Sequence, residues 1–251
     1  MPAAYDTYDY PSYWKGREYE HSSEIIAIKE FLAKIPRIHK VLDLGCGYAR
    51  LTPSYRFRAD KLTLVDPSSK LLKIAKKRFN NKNTRFIQAK IENITKKIKS
   101  GSMDLVIFVR VLHHIEDIDK VFESINRLLS KNGYLILEFA NKRHFKALTQ
   151  ELFKGNFTFL LDIFPKDIRS KVAIRKKTLP FINYHPDKIK EILTSHGFRI
   201  IETRSVSNIR SPFLKRVIPL ETLLDLEKKL QKPLAKVLFG PSVFVLSQKI
   251  G

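Results

Sequence analysis

The sequence predicts an α/β fold: one largely parallel sheet of about seven strands, covered by helices on both faces. Three observations carry this. Strand-like and helix-like segments alternate from residue 40 to residue 140. The strand segments are apolar on both faces, as strands buried between helix layers must be. At 251 residues with 43% hydrophobic content, the chain is long enough to bury a sizeable core.

Residues 1–20, MPAAYDTYDYPSYWKGREYE, are rich in tyrosine and hold the only Trp, with prolines at positions 2 and 11. They follow neither a helix nor a strand period and read as an ordered aromatic arm. SSEIIAIKEFLAKI places apolar residues at 25, 28, 31, 32 and 35, a helical spacing that Ser22 or Ser23 caps. KVLDLG is a buried strand, and YARLTPSYRF reads as a short helix that tolerates Pro53 in its early turns. KLTLVDP is a second strand, SSKLLKIAKKRF a helix, TRFIQA a third strand and MDLVIFVRVL a fourth. DIDKVFESINRLLS is a helix stopped at Asn132-Gly133, whose glycine suits a left-handed cap, and YLILEFA is the fifth strand. After Asn141 the rhythm breaks into a mostly helical stretch reaching about residue 180. HPDKIKEILTSHGFRIIETRSVS then gives a helix, a His196-Gly197 stop and a strand; PLETLLDLEKKLQKPLAKVLF is helical and SVFVLSQK a last strand.

Charge and cysteine content narrow the function classes. Cys46 is the only cysteine, which excludes an intrachain disulfide and a cysteine-only metal site within one chain. The net charge of +22 is unevenly placed: residues 51–100 carry 14 Lys and Arg against 3 Asp and Glu. Such a field attracts polyanions, either RNA or an anionic membrane face. A lysine-rich surface kept soluble by like charge is the plainer reading, because KLLKIAKKRFNNKNTR interleaves no stacking aromatics beyond Phe79. No signal-like N-terminus and no long apolar run are present, so the expected location is the cytoplasm.

The stretch VLDLGCGYARLT, residues 41–52, sets a strand before a Gly-Cys-Gly turn. A phosphate-binding P-loop needs G-x-x-x-x-G-K-[ST], which is absent, and a dinucleotide fold wants a third glycine where Arg50 stands. The stretch resembles instead the first motif of class I, Rossmann-like S-adenosylmethionine-dependent methyltransferases, an acidic residue followed by G-x-G. LVDPS resembles the second motif, with Asp66 lying 21 residues beyond Gly45. SMDLVIFVRVLHHIEDIDKVFESINRLLSKNGYLILEF resembles the family's fourth- and fifth-strand block. The likeness covers roughly residues 38–140.

The resemblance implies a three-layer, seven-stranded, mostly parallel sheet whose last strand is antiparallel, with an N-terminal aromatic arm and helical insertions. One domain spans 1–251: an arm or lid (1–22), a cofactor core (38–140), a helical insertion (141–184) and a C-terminal completion of the sheet (185–251). It implies S-adenosylmethionine as cofactor, S-adenosylhomocysteine as product and no metal. Gly45 and Gly47 admit the ligand's amino-acid moiety to bare backbone, Asp43 lies near its ammonium, and Asp66, followed by Pro67, accepts from both ribose hydroxyls. The acid that often follows strand three is replaced by Lys90, so Ile91 takes over adenine contact. Cys46 faces the core. Tyr8, Tyr10, Tyr13, Trp14 and Arg17 are candidates for a lid over the cationic sulfonium, with Arg17 pairing with the cofactor carboxylate.

His113 and His114 follow the fourth strand at the ligand-binding end of the sheet and are candidate general bases; helix-capping or packing histidines are the alternative. Arg110 either braces the cofactor or anchors the acceptor. Tyr184 and His185 are candidate acceptor contacts near the mouth of a wall built from the 141–184 insertion. The expected function is a methyltransferase acting on a small molecule or a lipid or cell-envelope precursor. An RNA methyltransferase and a catalytically silent cofactor-binding regulator are the alternatives. The acceptor atom and the oligomeric state stay open.

Overall fold

Alternation along β1 (Lys40–Leu44) builds two cores from one strand: Val41 joins one apolar cluster, while Leu42 and Leu44 join the other. In this computed structural model, which describes residues 4–7, 9–175 and 178–250, six further strands extend the same sheet. They are β2 (Lys61–Asp66), β3 (Thr84–Gln88), β4 (Met103–Phe108), β5 (Leu129–Ala140), β6 (Phe198–Val206) and β7 (Ser242–Lys249). Their spatial order is β3-β2-β1-β4-β5-β7-β6. Neighbours from β3 to β5 run parallel, whereas β7 runs antiparallel to both β5 and β6. The seven-stranded sheet with an antiparallel last strand is the architecture expected. Chain order reverses between β1 and β4, and open α/β sheets bind ligands beyond the carboxyl ends of the strands at such a point.

Helices α1 (Glu18–Leu32) and α2 (Ser69–Phe79) cover one face; α1 buries Ala27, Ile28, Phe31 and Leu32 there. Helices α3 (Ile118–Leu128) and α5 (Pro186–Ser195) cover the other with Phe122, Ile125, Ile189 and Leu193. Helix α4 (Phe145–Phe153) opens the insertion after β5, and α6 (Leu220–Ala235) packs on α1 and β6.

Several local expectations change. Residues 48–57 form no α-helix: Ala49 takes a positive φ of 61°, and only two three-residue 3₁₀ turns follow, Thr52–Ser54 and Arg56–Arg58. Helix α1 starts at Glu18 rather than at a serine cap; Ser23 lies inside it, its hydroxyl donating to the Tyr19 carbonyl at 2.7 Å. The left-handed residue after α3 is Asn132 (φ 60°), not Gly133. Gly133 is needed for space instead, since a Cβ there would stand 3.0 Å from the Ser130 carbonyl oxygen. The arm contains two helical turns, Ala4–Thr7 and Tyr10–Tyr13, the second capped by Asp9 and started by Pro11. The insertion is less helical than its pattern: beyond α4 it holds a 3₁₀ turn (Phe157–Leu160), a short helix (Lys171–Arg175) and a two-residue ladder pairing 166–167 with 182–183. Among the described residues, no helix is long and apolar enough to cross a membrane.

Candidate active site

The glycine turn follows β1 at the switch point. Gly45 and Gly47 both hold positive φ, 78° and 54°. A side chain at Gly45 would put its Cβ 2.3 Å from Val111 Cγ2, so this position admits glycine on space as well as on φ. The N–H groups of Gly45 and Cys46 donate to the Val65 carbonyl at 2.8 and 3.0 Å, tying the turn to the end of β2. There Asp66 accepts from the Gly47 N–H through one carboxylate oxygen and from the Ser68 N–H through the other, each at 2.8 Å. Burial lifts its pKa to about 6 against those two hydrogen bonds.

The arm lies over this turn. Tyr10 Cε1 is 3.6 Å from where a Cβ on Gly47 would stand, and its ring meets Tyr48, Tyr13 and Trp14. Asp6 fastens the first helical turn to the start of α2, its carboxylate accepting from the Ser68 hydroxyl at 2.7 Å and the Lys70 N–H at 3.3 Å. Trp14 is buried, and the Arg50 guanidinium sits 3.4 Å from its ring centroid.

Beneath Trp14, the fully buried Glu24 of α1 holds two arginines. Arg50 donates to one of its oxygens at 2.5 Å, while Arg110 donates Nε–H to the other at 2.6 Å. Burial would raise the Glu24 pKa, but Arg110 and Arg50 hold it below its ordinary range. Arg110 takes a left-handed φ of 63°, which aims its backbone N–H at Glu138 (2.8 Å) and its side chain into the site. Glu138 is fixed in turn by the Ser242 hydroxyl at 2.5 Å.

A cavity of about 880 Å³ opens beside this group, between the arm and the insertion. Tyr5, Tyr10, Trp14, Phe181, Ile174 and Leu179 supply most of its apolar wall, and Arg110, His113, His114, Glu116, Arg169 and Thr178 its polar groups. His114 Nδ1–H donates to the Pro180 carbonyl at 2.7 Å, which leaves Nε2 as the acceptor facing the Tyr5 hydroxyl at 2.6 Å. Burial lowers its pKa despite the Pro180 contact. His113 packs on Phe181, ring centroids 4.5 Å apart; burial, together with His114 and Arg110, holds it well below the ordinary imidazole range. Both shifts favour the neutral form of the ring.

Tyr13, Trp14, Arg110, His113 and His114 therefore meet around one cavity, while Gly45, Gly47 and Asp66 lie under the arm. Other candidates do not line this cavity. Arg17 stacks on Tyr13 at 4.2 Å and begins α1 rather than reaching the cavity; Arg50 and Arg110 are the arginines at Trp14. Asp43 is buried and accepts the Tyr55 hydroxyl, and burial pushes its pKa up to about 7 against that bond. Ile91 packs into the core beneath β3, and Pro67 accepts from the Gln88 side chain at 3.2 Å. Tyr184 is a buried brace, its hydroxyl donating to the Ile115 carbonyl at 3.0 Å, and does not reach the mouth. His185 caps α5, its Nδ1 accepting the Asp187 N–H at 3.2 Å. Tyr8 lies outside the described residues. Sequence reasoning missed Glu24, Tyr5 and Arg50; a lone acid on the apolar side of α1 was the one available signal for Glu24. Among the described residues, no group of three His, Cys, Asp or Glu side chains is placed to hold a metal ion.

Residues 42–137 match the methyltransferase domain family. The ubiquinone/menaquinone biosynthesis C-methyltransferase of Campylobacter jejuni is 25% identical over 197 residues, which span 70% of this chain and 78% of that protein. A SAM-dependent methyltransferase from Thermotoga maritima superposes with a TM-score of 0.63 at 17% identity over 98% of each chain. Magnesium protoporphyrin IX methyltransferase from Synechocystis, solved with bound SAH, gives 0.56 at 19% identity over 92% of this chain and 83% of that one. At such identities the structural likeness speaks for the fold. Residues 42–137 therefore match the methyltransferase domain family, on a fold shared with S-adenosylmethionine-dependent methyltransferases.

Proposed function

We propose that this methyltransferase acts on a small molecule or a lipid or cell-envelope precursor, using S-adenosylmethionine held under the aromatic arm. The cavity carries the reading: its volume of about 880 Å³ suits a single small ligand, since such pockets run from about 300 to 1,000 Å³. Its wall is aromatic and aliphatic around a few polar groups. The Campylobacter jejuni relative's role in ubiquinone and menaquinone biosynthesis also favours a small apolar acceptor.

The residues fit the methyl donor. Each Asp66 oxygen takes one backbone N–H and keeps a lone pair for a sugar hydroxyl. The bare backbone at Gly45 and Gly47 allows close approach. Trp14 Nε1 is buried at the cavity wall without a hydrogen-bond partner, a donor that a ligand would satisfy. Arg50 and Arg110, held by Glu24, keep further N–H groups for a carboxylate.

When bound, S-adenosylmethionine supplies an already activated methyl group. The chain is left to align the acceptor, exclude water and hold a proton where one must leave. Tyr5, Tyr10 and Trp14 close the water side. His114 Nε2 takes the proton through Tyr5: its tautomer is set by Pro180, and the Tyr5 hydroxyl on the cavity wall passes its own proton to Nε2 as it accepts one from the acceptor.

An RNA acceptor is the second reading, favoured by the exposed Lys73, Lys76, Lys77 and Arg78 on α2. The test incubates the purified protein and methyl-labelled S-adenosylmethionine with a lipid extract, a small-molecule extract and total RNA. Label in either of the first two supports the proposal; label in RNA alone overturns it.

A further inference from the structure

We propose that the 141–184 insertion docks on the surface of an anionic phospholipid bilayer, its exposed apolar side chains entering the headgroup region and its cations meeting lipid phosphates. The surface stands independently of the acceptor's identity.

Phe153, Phe157, Leu161 and Phe164 are 93, 74, 80 and 75% exposed, four large apolar side chains within one short stretch. Apolar residues scattered singly on a surface need no partner, whereas a concentration of this size marks an interaction face. Built contacts hold these tips outward. Lys142, itself only 3% exposed at the end of β5, donates to the carbonyls of Asp162 and Phe164 at 2.8 Å each and pairs with the Asp162 carboxylate at 2.6 Å. The ladder between 166–167 and 182–183 ties the far side of the same loop. The exposure therefore belongs to an anchored loop.

Charge selects the occupant. Residues 141–180 carry ten Lys and Arg against three Asp and Glu, and Lys154, Lys166, Lys171 and Arg175 are exposed among the apolar tips. Apolar tips ringed by cations match an anionic lipid surface, which offers hydrocarbon beneath a layer of phosphate. The patch also runs into the cavity: Ile174 and Leu179, 46 and 38% exposed, line it together with Arg169. A molecule leaving the bilayer would meet the cavity mouth without crossing water.

The test is co-sedimentation of the full chain with phosphatidylglycerol-containing vesicles and with pure phosphatidylcholine vesicles. It is repeated with the Phe153→Asp/Phe164→Asp double variant, its fold checked by circular dichroism. Both side chains are exposed, so the fold is expected to persist; Phe157→Asp/Leu161→Asp is a second, independent variant. Expected are binding to the anionic vesicles, weakening as salt rises, and a loss of about tenfold or more in either variant. Three outcomes overturn the proposal: no vesicle binding, including by a chain that instead self-associates or binds RNA through this patch; vesicle binding that both variants retain; or equal binding to the pure phosphatidylcholine vesicles.

Discussion

Tyr10 lies across Gly47, its Cε1 3.6 Å from the place of a Cβ, so the arm rests directly on the turn expected to receive the ligand. The arm joins α1 through Gly16, which holds a φ of 71° with open space around it. Ligand entry under the arm is expected to turn about this joint, with the tyrosine faces then closing on a cationic sulfonium. Tyr10→Ala is expected to raise the Kd for S-adenosylmethionine about tenfold by calorimetry. An unchanged Kd would reduce the arm to a cover for the sheet edge.

Glu24 tests the arginine clamp. Replacing it with Gln keeps the shape but leaves Arg50 and Arg110 without their buried countercharge. A loss of about 3–5 kcal/mol in urea unfolding at pH 7 is expected, as for other broken buried ion pairs. Because the folded-state pKa of Glu24 lies below its unfolded value, its contribution is present above the ordinary glutamate range. The gap between variant and wild type should narrow as pH falls through the folded pKa. A gap independent of pH would rule out the charge as its source.

Gly45 and Val111 make a steric pair. Gly45→Ala sets a methyl 2.3 Å from Val111 Cγ2 and strains a φ of 78°. A destabilisation of roughly 3 kcal/mol is expected. Val111→Ala in the same chain should recover part of it, measured as a non-additive double-mutant cycle. Strict additivity would mean that the φ strain alone acts.

How much of this was legible in the sequence follows from the range of each interaction. The strands of the sheet were readable because their apolar runs are local, and Gly45, Gly47 and Asp66 because their spacing along β1 and β2 is short. His113 and His114 follow β4, as their position after an apolar strand indicates. The burial of Tyr184 and His185 at the α5 junction was not legible, because it is set by contacts with distant residues, such as the Ile115 carbonyl. The place of Arg50 was hidden for a similar reason: three residues past the turn, it reaches Trp14 only once α1 brings Glu24 beneath it. The insertion's apolar spacing suits a helix, and Gly155 (φ 77°) and Pro165, legible in the sequence as interruptions, divide it into short pieces.

Asp43 carries a stability prediction. Its folded-state pKa of about 7 stands above the unfolded value near 3.9, so the folded protein binds the proton more tightly. Its ionisation therefore lowers stability as pH rises from about 4 to about 7. Asp43→Asn, which still accepts the Tyr55 hydroxyl, should gain on the wild type across that window by about 2–4 kcal/mol in chemical unfolding. A constant difference between the two would contradict the burial argument.

The most direct measurement is calorimetric titration of S-adenosylmethionine into the wild type and Asp66→Asn between about pH 5 and pH 8. With its carboxyl titrating near 6, the wild type should lose affinity as pH falls through that value, because the protonated acid is a poorer acceptor for the sugar hydroxyls. The variant should bind about ten- to a hundredfold more weakly at pH 8 and show no such pH step. Equal affinity in both proteins, or the same pH profile in each, would contradict the placement of the ligand at Asp66.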